Sequence, residues 1–199
     1  SYNEETNFVN CINLGTIENN YNASEYYDPY VAGFTTGATS YKMCINAGNV
    51  TGATFAFDET TIFGTVAGFD ASGSAIFTDC INLGNISANS YTGSDGKTYS
   101  TEKVYGFSSI ENEINKPSFT NCIDAGSAKQ PFTGVVDNTT GTYVTCYYNS
   151  DSYGSSYNPD YARTSDDLCQ LTTDDLPNWN IATSHYPLPN IEENFSNEI

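Results

Sequence analysis

Positive charge is what this sequence has least of. Of 199 residues, six are Lys or Arg and one is His, against 24 Asp or Glu, giving a formal net charge of −18. Four acids for every base exclude a nucleic-acid binder, because phosphate binding works by Lys and Arg displacing counterions. The same deficit excludes a polybasic membrane-surface protein. No apolar run approaches the roughly 18 residues of a spanning helix, so no membrane insertion is expected. The six cysteines form no C-x-x-C pair, which argues against zinc. No charged-then-apolar leader precedes Ser1, so the expectation is a cleaved signal peptide or a piece of a longer chain. Charged residues make up only 15% while aromatics reach 14%, with 16 Tyr and 11 Phe. Acidic disordered chains are poor in aromatics, so a packed domain is expected, and the length suits one domain with a small appendage.

What is present is a repeat. Aligned on cysteine, the chain reads Phe8-Val-Asn-Cys11-Ile-Asn-Leu-Gly15, Tyr41-Lys-Met-Cys44-Ile-Asn-Ala-Gly48, Phe77-Thr-Asp-Cys80-Ile-Asn-Leu-Gly84 and Phe119-Thr-Asn-Cys122-Ile-Asp-Ala-Gly126. A degenerate fifth unit reads Tyr143-Val-Thr-Cys146-Tyr-Tyr-Asn149. A second element follows: Val31-Ala-Gly33-Phe34, Val66-Ala-Gly68-Phe69, Val104-Tyr-Gly106-Phe107 and, less clearly, Gly134-Val-Val136. From that glycine to the next cysteine the spacing is 11, 12, 16 and 12 residues; from cysteine to glycine it is 22, 24, 26 and 12. One half of each unit is therefore nearly fixed. The other absorbs polar, turn-rich insertions such as Glu18 to Tyr30 and Ser90 to Lys103, which is how loops on one face of a repeat array behave.

The units are rich in Thr, Ile, Val, Phe and Tyr with frequent Gly, and none carries a helical apolar stripe. Propeller blades would need more strands per unit and more units to close a ring. An all-β parallel solenoid of about four to five coils fits, with coils starting near 8, 41, 77, 119 and 143. Residues 1–150 form the repeat region and 151–199 a C-terminal cap and tail, with Trp179 as the plug of the last coil. Stacked rungs about 4.8 Å apart would place cysteine inside as a column of small buried thiols and stack Asn13, Asn46 and Asn82 as an amide ladder. The expectation for the glycine four residues after each cysteine is a positive-φ turn.

The pattern Cys-x-Asn-x-Gly-x-Ile followed by Val-x-Gly-Phe resembles the GLUG-type repeats of large microbial surface proteins, over roughly residues 7 to 148. There the second element usually reads Gly-Gly-Leu-Val-Gly. The tail from Thr164 through Trp179 to Tyr186-Pro-Leu-Pro189 also resembles the segment that ends such arrays. The resemblance implies a right-handed parallel β-helix in a surface or secreted protein, often adhesive or architectural in role, with no catalytic residues. Separately, the repeat starts by Phe8 with no cap before it, so the first coil is expected to be covered by another domain or another copy of the chain, as in a filament subunit.

Candidate sites are few. Cys146 and Cys169 are the expected disulfide pair if the tail folds back over the last coil. Five N-x-S/T sequons, at Asn22, Asn49, Asn85, Asn138 and Asn194, are glycosylation candidates of an extracellular protein. The lone His185 lies in the tail, where a surface role outweighs a catalytic one. Asp166 and Asp174 follow Ser165 and Thr173, which would cap short helical turns. No cofactor is expected; calcium on Asn149-Ser-Asp151-Ser or Gly93-Ser-Asp95-Gly is the minor alternative to plain turns. Tyr153, Tyr157 and Tyr26-Tyr27 could stack on sugars. A lyase of acidic polymers is disfavoured by the charge, whereas a neutral-glycan hydrolase or binder could draw on Asp58, Asp70, Asp79, Asp124 or Asp137. The leading expectation is a non-enzymatic module whose partners are copies of itself, neighbouring domains of a longer surface protein, or glycans.

Overall fold

Each repeat is too short to bury its own apolar face, so its strands must pair with those of the next repeat. In a computed structural model of the chain, which describes residues 5–19, 29–56, 58, 61–71, 73–109, 116–134, 141–181 and 185–191, they do so in four parallel sheets. The first holds Asn7–Val9, Ser40–Lys42, Ile76–Thr78, Ser118–Thr120 and Thr142–Val144, with Phe8, Tyr41, Phe77, Phe119 and Tyr143 in register. The second holds Ile12–Asn13, Ile45–Asn46, Ile81–Asn82, Ile123–Asp124, Tyr147–Asn149 and Ala162–Arg163. The third joins Ile17–Glu18, Val50–Gly52 and Ile86–Ala88, and the fourth Tyr30–Ala32, Thr65–Ala67 and Val104–Tyr105. The chain is thus all-β with mainly parallel pairing, and the two helices among the described residues, Ser150–Tyr153 and Ser165–Leu168, are single turns.

Between the first and second sheets the chain bends at the residue before each cysteine. Asn10, Met43, Asp79, Asn121 and Thr145 all have φ between +50° and +55°. The bend lets the aromatic and the cysteine three residues later both face inward, which a regular strand forbids. The sequence reading placed positive φ at the glycine four after cysteine, and this is corrected: Gly48, Gly84 and Gly126 are not in that region. Glycine stands there for space instead. A Cβ on Gly84 would overlap the carbonyl oxygen of Gly48 in the neighbouring rung.

Two columns of rings fill the interior. Phe8, Tyr41, Phe77, Phe119 and Tyr143 stack at centroid spacings of 5.2, 4.9, 5.0 and 5.0 Å. Phe34, Phe69, Phe107 and Phe132 form the second column at 5.1, 4.7 and 5.0 Å. The columns meet edge to face, an arrangement favoured by the ring quadrupole. Cys44, Cys80, Cys122 and Cys146 are buried beside them, each thiol donating to the carbonyl two residues before it.

The isoleucine after Cys11, Cys44, Cys80 and Cys122 faces outward, and the C-terminal segment covers this row. Ile45, Ile81 and Ile123 pack against Leu168, Leu171, Leu176 and Trp179. Trp179 is therefore not the plug of the last repeat. Its indole Nε1 donates to Asp79 of the third repeat at 3.2 Å, and Asn178 Nδ2 donates to the same carboxylate at 3.1 Å. The apolar outer ladder explains the route: a row of isoleucines exposed to water demands a cover. The helical turns in this segment are capped one residue earlier than expected. Thr164 and Asp167 form a capping box, and Thr172 pairs with Asp175 in the same T-x-x-D manner.

Candidate functional site

The insertions of repeats two and three leave from one place, after the third strand of each. Both fold as antiparallel hairpins, Phe55–Ala56 with Ile62–Phe63 and Tyr91–Thr92 with Thr98–Tyr99. The second is closed by Gly93-Ser-Asp95-Gly96-Lys97: Gly96 N donates to Gly93 O at 3.0 Å and Gly93 N to Lys97 O at 2.9 Å. Gly96 has φ +78°, where a side chain would be strained, so the turn requires glycine. The hairpins lie side by side: Phe55, whose ring is 6.2 Å from that of Phe63 across its own hairpin, lies 5.3 Å from the Tyr91 ring of the other.

Between them opens a cavity of about 500 Å³ lined by Phe55, Ala56, Asp58, Tyr91, Gly93, Ser94, Asp95 and Tyr99. Tyr99 OH donates to Asp95 Oδ2 at 2.5 Å and Lys97 N to Asp95 Oδ1 at 3.0 Å. These two bonds hold the Asp95 carboxyl below its ordinary range. The bond to Asp95, followed by burial and the charges of Asp95 and Asp58, pushes the Tyr99 hydroxyl up to about 12. Asp95 is thus kept ionised, the reverse of what a general acid needs.

The other acids that sequence reasoning singled out do structural work. Asp70 is buried and accepts from Ala38 N at 3.4 Å. Asp79 anchors the tail. Asp124 ends the amide ladder: Asn13 donates to Asn46, Asn46 to Asn82 and Asn82 to Asp124, at 2.8, 2.8 and 2.9 Å. Tyr153 OH donates to Asp124 Oδ1 at 3.0 Å and Phe132 N to Oδ2 at 2.9 Å. Burial pushes the Asp124 carboxyl up to about 6, against the pull of these donors. Asp137 lies outside the described residues. Of these candidates among the described residues, Asp58 reaches the hairpin cavity, beside Asp95.

The remaining candidates are dispersed. Cys146 and Cys169, the expected disulfide pair, are both free thiols. Cys146 faces the ring columns, whereas Cys169 caps the Ser165–Leu168 turn, whose Leu168 packs on the opposite, isoleucine face of the second sheet. Burial, followed by the hydrogen bonds with the neighbouring thiols, holds Cys122 well above the ordinary thiol range, so that thiol is not nucleophilic. Asn49 and Asn85 occupy adjacent rungs; Asn85 N donates to Asn49 Oδ1 at 3.1 Å, and Ser127 Oγ to Asn85 Oδ1 at 2.7 Å. Asn22, Asn138 and Asn194, like Tyr26 and Tyr27, lie outside the described residues. Tyr153 is buried under the ladder, and Tyr157 donates to Lys129 O at 2.6 Å, so this pair packs instead of offering a sugar platform. His185 is exposed against its neighbour's carbonyl. Of the two calcium candidates, the Asn149–Ser152 loop spends Asn149 Oδ1 on Asp151 N and Asp151 Oδ2 on Ser165 N. The Gly93–Gly96 loop is the hairpin turn described above. Among the described residues, no group of three His, Cys, Asp or Glu is placed to hold a metal ion. Nor, among them, is any helix long and apolar enough to cross a membrane.

The cavity was missed in the sequence because its rings come from two insertions 36 residues apart, Phe55 and Tyr91, that share no motif. The signal was there as position: both follow the third strand of their repeats. Comparison with protein-family models, curated proteins and solved structures finds no match to this chain.

Proposed function

We propose that the chain is a non-enzymatic structural or adhesive module of an extracellular surface, built as a right-handed parallel β-solenoid of the GLUG-repeat kind. The observation that carries the reading is register: four repeats place ring, thiol and isoleucine in the same order on parallel strands, followed by an amide in three of them and by Asp124 in the fourth. Interior room in such an array is taken up by side chains touching their own copies, which builds a rod and leaves no enclosed catalytic chamber. The partners of this reading are other copies of the chain or neighbouring domains of a longer surface protein. In its support, the strands Asn7–Val9, Ile12–Asn13 and Ile17–Glu18 each have a neighbour on one side only among the described residues. Unpaired strand edges are templates for further pairing.

Electron microscopy and light scattering across a concentration series test the assembly. Rods or filaments lengthening with concentration are the expected result, and monodisperse monomers at every concentration refute self-assembly. Incubation with neutral glycans while reducing ends are counted tests the absence of catalysis. The second reading, a neutral-glycan binder or hydrolase, is favoured only by the ring-lined cavity, and release of reducing ends would establish its enzymatic form.

A further inference from the structure

The hairpin cavity has a one-sided chemistry. Its polar side chains are the carboxylates of Asp58 and Asp95, the hydroxyls of Tyr91 and Ser94, and a Tyr99 hydroxyl whose proton is committed to Asp95. Among the described residues, no Lys, Arg, His, Asn, Gln or Trp side chain lines it. A sugar hydroxyl donates and accepts at once, so a sugar site pairs its carboxylates with amide, indole or guanidinium donors, and these are missing here. An ammonium or guanidinium group only donates. It is also drawn to ring faces within about 6 Å of their centroids. The bond to Asp95 and burial are the main causes of the upward shift of the Tyr99 hydroxyl, and the negative charges of Asp95 and Asp58 add to it.

We propose that the cavity between the two hairpins binds the cationic side chain, Arg or Lys, of a basic partner polypeptide, seated against the Phe55 and Tyr91 rings with Asp95 accepting its N–H groups. Each oxygen of Asp95 accepts one internal bond and keeps a second lone pair for the ligand. The net charge of −18 steers a basic partner toward the surface, and the ring-lined cavity decides where it docks. The proposal rests on reading the chain as a binding module. It fails separately from self-assembly: rods that bind no basic peptide remove the docking site and leave the scaffold.

Calorimetric titration of the full chain with a short Arg-containing peptide, its Lys analogue and its citrulline analogue tests the charge requirement. The Arg and Lys peptides are expected to bind, and the citrulline peptide, neutral but nearly isosteric with Arg, to bind about tenfold more weakly. Asp95→Asn is expected to weaken the Arg peptide by about tenfold, and Tyr91→Leu by about fivefold. Tyr91→Leu leaves the hydrogen bonds of the Gly93–Lys97 turn in place, so it carries the test if Asp95→Asn loosens the hairpin. Asp166→Asn, which removes one exposed charge from the tail, is expected to change nothing. Equal binding of the citrulline peptide overturns the cation assignment. Equal losses in Asp95→Asn and Asp166→Asn, or none in Tyr91→Leu, overturn the cavity as the site. Agmatine binding as tightly as the peptide overturns the polypeptide partner.

Discussion

Asp124 makes the stability of this protein depend on pH in a direction that one substitution isolates. Its carboxyl is fully buried and titrates near 6, against an ordinary value of 3.8. An acid with a raised folded value favours folding while protonated, and that contribution disappears as pH rises through the folded value. Below the unfolded value the group contributes about 3 kcal/mol relative to high pH, since each pKa unit is worth about 1.4 kcal/mol. About 2 kcal/mol of this is lost between roughly pH 4.5 and pH 7.5. In Asp124→Asn the titration is gone. The amide also fits poorly: one orientation turns its NH2 toward the Phe132 N–H, the other toward the Asn82 NH2. Either clash leaves a buried donor unmet, at about 1–3 kcal/mol. At about pH 4.5 the variant should therefore be less stable than the parent by that amount, and the gap should close by about 2 kcal/mol at neutral pH. Urea unfolding followed by circular dichroism across this range measures it. The other carboxylates titrate alike in both proteins and cancel in the difference. A difference that stays constant with pH would refute the assignment of the titrating group.

Three further outcomes follow from packing. Met43 has φ +50°, a region that suits Asn and costs other side chains about 1–2 kcal/mol, so Met43→Asn should raise the unfolding free energy measured in urea by about 1 kcal/mol. Trp179→Ala removes a 3%-exposed ring over the isoleucine ladder and the indole donor of Asp79; a loss of about 3–5 kcal/mol is expected in chemical denaturation. Iodoacetamide labelling of the native protein, read by mass spectrometry, should modify Cys11 and Cys169 well before the four buried thiols, and denaturation should expose all six.

The repeat, the inward cysteine, the amide ladder and the site of the insertions were legible because each is written several times in the same register. Phe8, Tyr41, Phe77, Phe119 and Tyr143 state one position five times, and repetition turns a weak local pattern into a strong one. The bend before cysteine was not legible. Asn10, Met43, Asp79, Asn121 and Thr145 share a backbone conformation but no chemistry that announces it. The path of the tail was hidden for a different reason. Trp179 and Asp79 are 100 residues apart and meet only because the isoleucine row needs cover. The hairpin cavity depends likewise on two unique insertions that the rungs bring together.

The amide ladder also has a direction, and direction decides where the array can be extended. Every Asn donates toward the C-terminal side, and the column stops at Asp124, which accepts but has nothing to pass on while ionised. At the opposite end, Asn13 Oδ1 accepts from Gly15 N, whereas Asn82 Oδ1 accepts both from Gly84 N and from Asn46 of the preceding rung. A rung stacked before Phe8 would therefore find an acceptor waiting, while one inserted after Asp124 would meet an acid that cannot donate and would displace Phe132 and Tyr153 from it. In an array stabilised by nearest-neighbour contacts, each compatible rung adds its interface energy. Duplicating the second repeat, residues 41–76, ahead of Phe8 should raise the urea midpoint. The same unit placed after residue 134 should lower it or prevent folding. Equal effects at the two positions would show that the ladder has no functional polarity, and that ring stacking alone sets the order of the repeats.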